Sequence, residues 1–128
     1  MAPFGKDAHR WWKESVTYQI YPSSFQDSNG DGWGDVNGVT SRLGYLKQLG
    51  IDIAWTSPIC KNPQADMGYD IADYKDIDRM YGSLADVDEL IAELKKRSMK
   101  LMMDLVVNHT LNMHPWFFES RSSKTNPK

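Results

Sequence analysis

The sequence predicts an α/β fold built on a parallel sheet, and three observations predict it. Short β-branched and aromatic runs alternate with helical periodicity in the order strand, helix, strand, helix, strand. Each intervening crossover is long enough to return the chain for parallel pairing. The last run, residues 100–107 (KLMMDLVV), is almost continuously apolar, the pattern of a strand buried on both faces.

The elements follow in order. Residues 16–21 (VTYQIY) are β-branched and aromatic, and Pro22 closes the run as a strand. A loop rich in glycine and aspartate spans residues 26–38. Val39, Leu43, Leu46 and Leu49 then recur at helical spacing, with Asn37 available as N-cap and Gly50 just past the end. Residues 51–56 (IDIAWT) form a second strand, ended by Ser57 and Pro58, and a long polar loop runs from 59 to 82. In the next helix Ser83 is the cap and Asp86 occupies the capping-box position, while Leu84, Val87, Leu90, Ile91 and Leu94 make one apolar face. Lys95, Lys96 and Arg97 fall in its last turn, where cations suit the helix dipole. The tail, residues 120–128 (SRSSKTNPK), carries no apolar pattern and is expected to be a surface loop or a frayed end.

Bulk properties narrow the function classes. A chain of 128 residues makes one domain at most, and 41% hydrophobic with 25% charged residues is ordinary for a globular protein. The formal net charge is −2 with dispersed basic residues, which gives no electrostatic reason for a nucleic-acid or anionic-membrane partner. Cys60 is the one cysteine, so no intrachain disulfide forms, in keeping with a reducing compartment. Residues 1–14 contain no apolar run of the kind a secretory signal needs, and no stretch reaches the ~18–20 apolar residues of a membrane helix. The expectation is a soluble, cytoplasmic protein; oligomeric state is not legible.

Three strands and two helices do not close a fold. A doubly wound sheet would place a glycine-rich phosphate loop after the first strand, whereas the loop here is rich in acids that repel phosphate. The better reading is the first strand-helix-strand-helix-strand portion of a TIM (β/α)8 barrel, which takes about 250 residues when complete.

Three constellations are candidates for chemistry. In Asp27-Ser28-Asn29-Gly30-Asp31-Gly32-Trp33-Gly34-Asp35, oxygen side chains stand at positions one, three, five and nine, a glycine at six and a carbonyl at seven. These are the first nine positions of a calcium loop, although Gly38 stands where an EF-hand has its closing glutamate. An Asx-rich surface turn is the plainer alternative. The second constellation is residues 63–74 (PQADMGYDIADY), in the loop after the second strand. There Asp66 and Tyr69 offer a carboxylate for sugar hydroxyls and an aromatic face three residues on, although on these residues alone a polar loop with structural tyrosines is the plainer reading. The third is residues 104–110 (DLVVNHT). Asp104 interrupts an apolar strand and must be paired or hydrogen-bonded if buried, and Asn108 and His109 follow at the strand end, as a binding or a structural pair.

Residues 19–25 (QIYPSSF), the acidic loop, residues 64–74 and residues 104–109 together resemble the α-amylase superfamily of glycoside hydrolases. More narrowly they resemble its α-glucosidase (maltase) and oligo-1,6-glucosidase branch, from about Trp11 to Asn126. The resemblance implies a barrel catalytic domain over residues 1–109 and, over 110–128, the start of a small domain inserted after the third strand. It implies structural calcium held by Asp27, Asn29, Asp31, the Trp33 carbonyl and Asp35. It also implies a site for the non-reducing glucose of an α-glucoside oligosaccharide. There Asp66 bonds outer hydroxyls, Tyr69 stacks on the ring, and His109 meets the hydroxymethyl oxygen, while Asp104 supports the site through an arginine on a later strand. Family chemistry is retaining hydrolysis with a carboxylate nucleophile and a carboxylic acid after the fourth and fifth strands, and no residue of this chain is assigned either role. The chain is therefore expected to be inactive by itself. Cys60 stands where tyrosine is expected, and Leu111-Asn112-Met113 replaces a more polar stretch.

Other readings stay open beside the hydrolase. A glucosyl-transferring isomerase shares the superfamily. A non-catalytic relative, such as a transporter accessory subunit, would carry a membrane helix ahead of the barrel. A small calcium module would use the acidic loop alone and leave the other two motifs unexplained.

Overall fold

A computed structural model of the chain describes residues 10–126. After a 3-10 turn at Trp11–Lys13, the elements are β1 (Thr17–Ile20), α1 (Pro22–Phe25), α2 (Val36–Ser41), α3 (Leu43–Gln48), β2 (Ile53–Thr56), β3 (Cys60–Lys61), β4 (Asp73–Ile77), α4 (Leu84–Lys96), β5 (Lys100–Met103) and α5 (Pro115–Ser122). Strands β1, β2 and β5 make a parallel sheet in that spatial order, with Thr17 opposite Ile53 and Ile53 opposite Lys100. The α/β class and the parallel pairing are as the periodicity predicts.

The core lies between this sheet and the helices. Leu43 and Leu46 of α3, Val36 and Val39 of α2, and Leu90 and Leu94 of α4 meet Ile20 and Ala54 of the sheet, all essentially inaccessible to water. Each fully buried leucine or isoleucine of this kind contributes about 1.5–3 kcal/mol. The capping box of α4 forms as expected: the Asp86 backbone N–H reaches the Ser83 hydroxyl, and the Asp86 carboxylate accepts the Ser83 N–H at 2.7 Å.

The structure corrects the first helix. Its N-cap is Asp35, whose side chain accepts the Gly38 N–H at 2.6 Å, while Asn37 instead donates to Asp86 at 3.0 Å and ties α2 to α4. The chain passes so close to Gln26 here that a Cβ on Gly38 would lie 1.8 Å from the Gln26 carbonyl oxygen, so this turn of the helix requires glycine. The helix also breaks at Arg42. The Thr40 and Ser41 hydroxyls bond back to the carbonyls of Val36 and Gly38, a local competition that bends helices.

Three further expectations are overturned. The expected polar loop over 59–82 contains an antiparallel hairpin, β3 against β4, with Cys60 opposite Ile77. The apolar run 100–107 is a strand only to Met103, and it is not buried on both faces: Leu105 is 75% and Val107 72% exposed. Its apolar character has no partner strand on the far side among the described residues, so the side chains face water. Finally, α5 extends into the tail as far as Ser122, begun by Pro115 at its first position and by His114, whose Nδ1 accepts the Trp116 N–H at 3.1 Å. The readings for residues 1–9 and 127–128 fall outside the described residues. Among the described residues no helix is long and apolar enough to cross a membrane.

Candidate functional site

Parallel pairing brings the C-terminal ends of β1, β2 and β5 to one side of the sheet, and the loops after β2 and β5 carry the second and third constellations. The loop after β2 is wound tightly. Gln64, Met67 and Gly68 all adopt positive φ (59°, 51° and 98°), and a Cβ on Gly68 would sit 2.5 Å from the Pro58 carbonyl oxygen. Asp70, 5% exposed, holds the winding by accepting the N–H groups of Ala65 (2.8 Å) and Asp66 (3.2 Å). Asn62, also buried, accepts the Gln64 N–H and donates to the Cys60 carbonyl. The result is an exposed Asp66 carboxylate on a backbone that cannot relax freely.

Tyr69 joins this loop to the end of β5. Its hydroxyl donates to Asp104 Oδ2 at 3.0 Å, and its carbonyl accepts from His109 Nε2 at 2.9 Å. Because a carbonyl only accepts, Nε2 carries the proton and Nδ1 is the ring nitrogen outside this bond. Burial, then the hydrogen bond to Asp104 and its negative charge, push the Tyr69 phenol up to about 12. The phenol is therefore a donor throughout the neutral range. Asp104 is half-buried, and the Tyr69 hydroxyl satisfies it here.

The motifs single out Asp66, Tyr69, Asp104 and His109 but not what holds them. Asp70 and Tyr74 lie within residues 63–74 and carry no motif signal of their own. Tyr74 donates its hydroxyl to the His109 carbonyl at 2.8 Å, and its ring packs against His114 and Trp116. A cleft of about 410 Å3 opens beside them, lined by Tyr74, Leu105, Val107, Asn108, His109, Thr110 and Trp116. Of the four named residues only His109 lines this cleft; Asp66 and Tyr69 stand on the neighbouring wound loop, joined to it through the Tyr69–His109 hydrogen bond. An exposed carboxylate, a half-buried ring and an imidazole suit a polyhydroxylated ligand, with acceptors and donors for hydroxyls and a flat face for apolar C–H groups. Of the two departures, Cys60 is half-buried in β3, where burial and then the charge of Asp73 push its thiol up, and Leu111 reaches back to the Ile71 carbonyl.

The acidic loop lies apart, between α1 and α2. Asp27 accepts the N–H groups of Asn29, Gly30 and Gly32, Asp31 accepts that of Trp33, and Asp35 accepts that of Ser28. The Gly32 and Gly30 amides in particular hold the Asp27 carboxyl below the usual carboxylate range. Among the described residues no three His, Cys, Asp or Glu side chains gather as a metal-holding group. The fit to calcium is accordingly in donor type and order: hard oxygen ligands on a loop turned by Gly30 and Gly32 at φ 82° and 92°.

Comparison with known proteins identifies the lineage. The sequence matches the family described as alpha amylase, catalytic domain, over residues 19–128. It is 61% identical over 117 residues to an oligo-1,6-glucosidase of Bacillus cereus, covering 91% of this chain and 21% of that protein. It is 56% identical over 128 residues to an alpha-glucosidase of Schizosaccharomyces pombe, covering all of this chain and 22% of that protein. The fold superposes on an isomaltulose synthase from Klebsiella sp. LX3 with a TM-score of 0.90 and 53% identity, over 94% of this chain and 22% of that one. The chain thus spans about a fifth of the length of the curated relatives it matches. With a family match that runs through the strand ends, the wound loop and the acidic loop alike, the chain belongs to the alpha-amylase catalytic domain family.

Proposed function

We propose that this chain supplies the terminal-glucose site of a retaining α-glucosidase acting on maltose- or isomaltose-type oligosaccharides or sucrose. The observation that supports it most is the bridge made by Tyr69, which ties the loop of Asp66 to both Asp104 and His109. In this reading Asp66 accepts outer hydroxyl hydrogens, the Tyr69 ring covers the apolar face of the glucose, and His109 meets the hydroxymethyl oxygen. Asp104 orients Tyr69 and is the partner for an arginine outside the described residues. The strands are the opening three of a (β/α)8 barrel, and residues from Thr110 begin the inserted small domain. The nucleophile and the acid of retaining hydrolysis are not among these residues, so the chain alone binds without cleaving.

Calcium completes the proposal. Asp27, Asn29, Asp31, the Trp33 carbonyl and Asp35 would hold it, and its contribution is to lock the loop between α1 and α2 rather than to take part in the reaction.

The test is a chimera in which this chain replaces the aligned segment of the Bacillus cereus relative. The chimera is expected to hydrolyse a nitrophenyl α-glucoside, and the 128-residue chain alone is not. Hydrolysis by the chain alone, or a chimera whose kcat/KM is unchanged after loss of both Asp66 and His109 side chains, overturns the reading. The isomaltulose synthase likeness favours a second reading, a glucosyl-transferring isomerase. Sucrose converted to an isomeric disaccharide rather than to glucose and fructose would select it.

A further inference from the structure

His109 is exposed, and the two residues before it, Val107 and Asn108, are exposed as well, so burial of these neighbours does not fix it. Its position is set across the sequence by two tyrosines of one segment. Tyr69 takes the imidazole through its carbonyl, and Tyr74, thirty-five residues away, takes the His109 carbonyl through its hydroxyl at 2.8 Å. Tyr74 is in turn held by its ring. The ring centroid lies 5.8 Å from that of His114 and 6.4 Å from that of Trp116, the latter within 24° of parallel. His114 is 7% exposed and caps α5 through Nδ1, so its ring cannot swing without uncapping that helix. Burial, then the nearby Cys60, push the Tyr74 phenol above its ordinary value, which keeps it a donor.

We propose that Tyr74 is a positioning residue for His109: its hydroxyl holds the His109 carbonyl while His114 and Trp116 hold its ring, so that the imidazole is presented to the sugar. The inference rests on the reading of His109 as a sugar-binding residue. The role of Tyr74 in this proposal is carried by its hydroxyl, which is spent on the His109 carbonyl. Its hydroxyl fixes the main chain that carries the imidazole, and Tyr69 fixes the ring. Losing the first bond frees residues 108–110 to rotate about the second. A displacement of about 1 Å at a binding group is enough to weaken a directional contact. The device also couples the site to the segment after it, because the tyrosine ring is seated on the N-terminus of α5.

The plainer role for Tyr74 is packing α5 against the hairpin. Tyr74→Phe separates the two, since it keeps the ring and removes only the hydroxyl. In the chimera, Tyr74→Phe is expected to lower kcat/KM for a nitrophenyl α-glucoside roughly two- to tenfold, the range of one neutral hydrogen bond, with Tm nearly unchanged. The deciding measurement is the double-mutant cycle with His109→Ala. If Tyr74 acts through the imidazole, Tyr74→Phe has no further effect in the His109→Ala background. The same fold-loss in both backgrounds would show that Tyr74 acts elsewhere and overturns the proposal. A silent Tyr74→Phe beside an impaired His109→Ala overturns it while leaving the sugar-binding reading intact. A silent His109→Ala removes the reading and the proposal together. A large fall in Tm on Tyr74→Phe assigns the hydroxyl to folding and overturns the proposal as well.

Discussion

The hydroxyl of Tyr69 donates to the Asp104 carboxylate at 3.0 Å, across thirty-five residues of sequence. With its phenol raised from the ordinary 10 to about 12, the folded state keeps this proton after an unfolded chain has lost it. The stability it contributes is therefore complete below about pH 10 and is lost as pH rises toward about 12. Tyrosinate absorbance of the chimera, compared with Tyr69→Phe, should show one late-titrating phenol missing from the variant. Asp104→Asn should move that phenol only part of the way back, because burial outranks the carboxylate among the causes. A missing phenol that titrates at the ordinary value would show that the bond is not made.

Asp66→Ala and His109→Ala in the chimera should slow hydrolysis without abolishing it, since neither is nucleophile or acid in the proposed site. Loss of one well-placed or charged hydrogen bond is worth ~1.5–3 kcal/mol, or roughly ten- to a hundred-and-fiftyfold in kcat/KM. Contacts that tighten toward the transition state lower kcat, and uniform contacts raise KM alone. Both side chains are exposed, so Tm should hardly move. Near-wild-type kcat/KM in both variants would remove the site assignment.

Calcium should raise the Tm of the chimera and a chelator should lower it, by an amount that grows with free calcium. Selective binding to the folded state adds about 2.7 kcal/mol at a hundredfold excess over Kd. Asp31→Ala should abolish the calcium response. An unmoved Tm with chelator, and no metal retained through purification, would leave the loop as an Asx-rich turn, already satisfied by its own amides.

Two glycines of the first helical region should answer the same substitution with opposite signs. At Gly38 an added methyl meets the Gln26 carbonyl oxygen at 1.8 Å, so Gly38→Ala must push apart the start of α2 and the acidic loop. At Gly44, inside α3, nothing lies within 4 Å. Gly44→Ala should stabilise by about 0.5–1 kcal/mol through helix propensity, and Gly38→Ala should destabilise by roughly 1–3 kcal/mol, as overpacking does. Thermal unfolding of the two chimera variants checks the pair, and equal shifts would contradict the close approach at Gln26.

Much of the fold was legible because it depends on local pattern. The leucine and valine spacing of residues 84–94 and the Ser83–Asp86 capping box specify α4 without reference to anything distant, and the β-branched runs specify β1 and β2. The identity of Asp66, Tyr69, Asp104 and His109 as candidates was legible too, since motif order along the chain carries it. The chain by itself determined the α/β class, the parallel order and the family. The tertiary structure decided what no local pattern encodes. It moved the N-cap from Asn37 to Asp35, because Asn37 finds a partner in Asp86 of the distant α4 while Asp35 takes the Gly38 N–H. It turned residues 59–82 into a hairpin, because pairing Cys60 with Ile77 satisfies backbone groups that polar composition alone leaves to water. It gave Asp70 its role through the tight winding of residues 65–70, and it paired Tyr74 with His109 and His114, because a phenol finds these partners only when segments 35 to 40 residues apart are packed together.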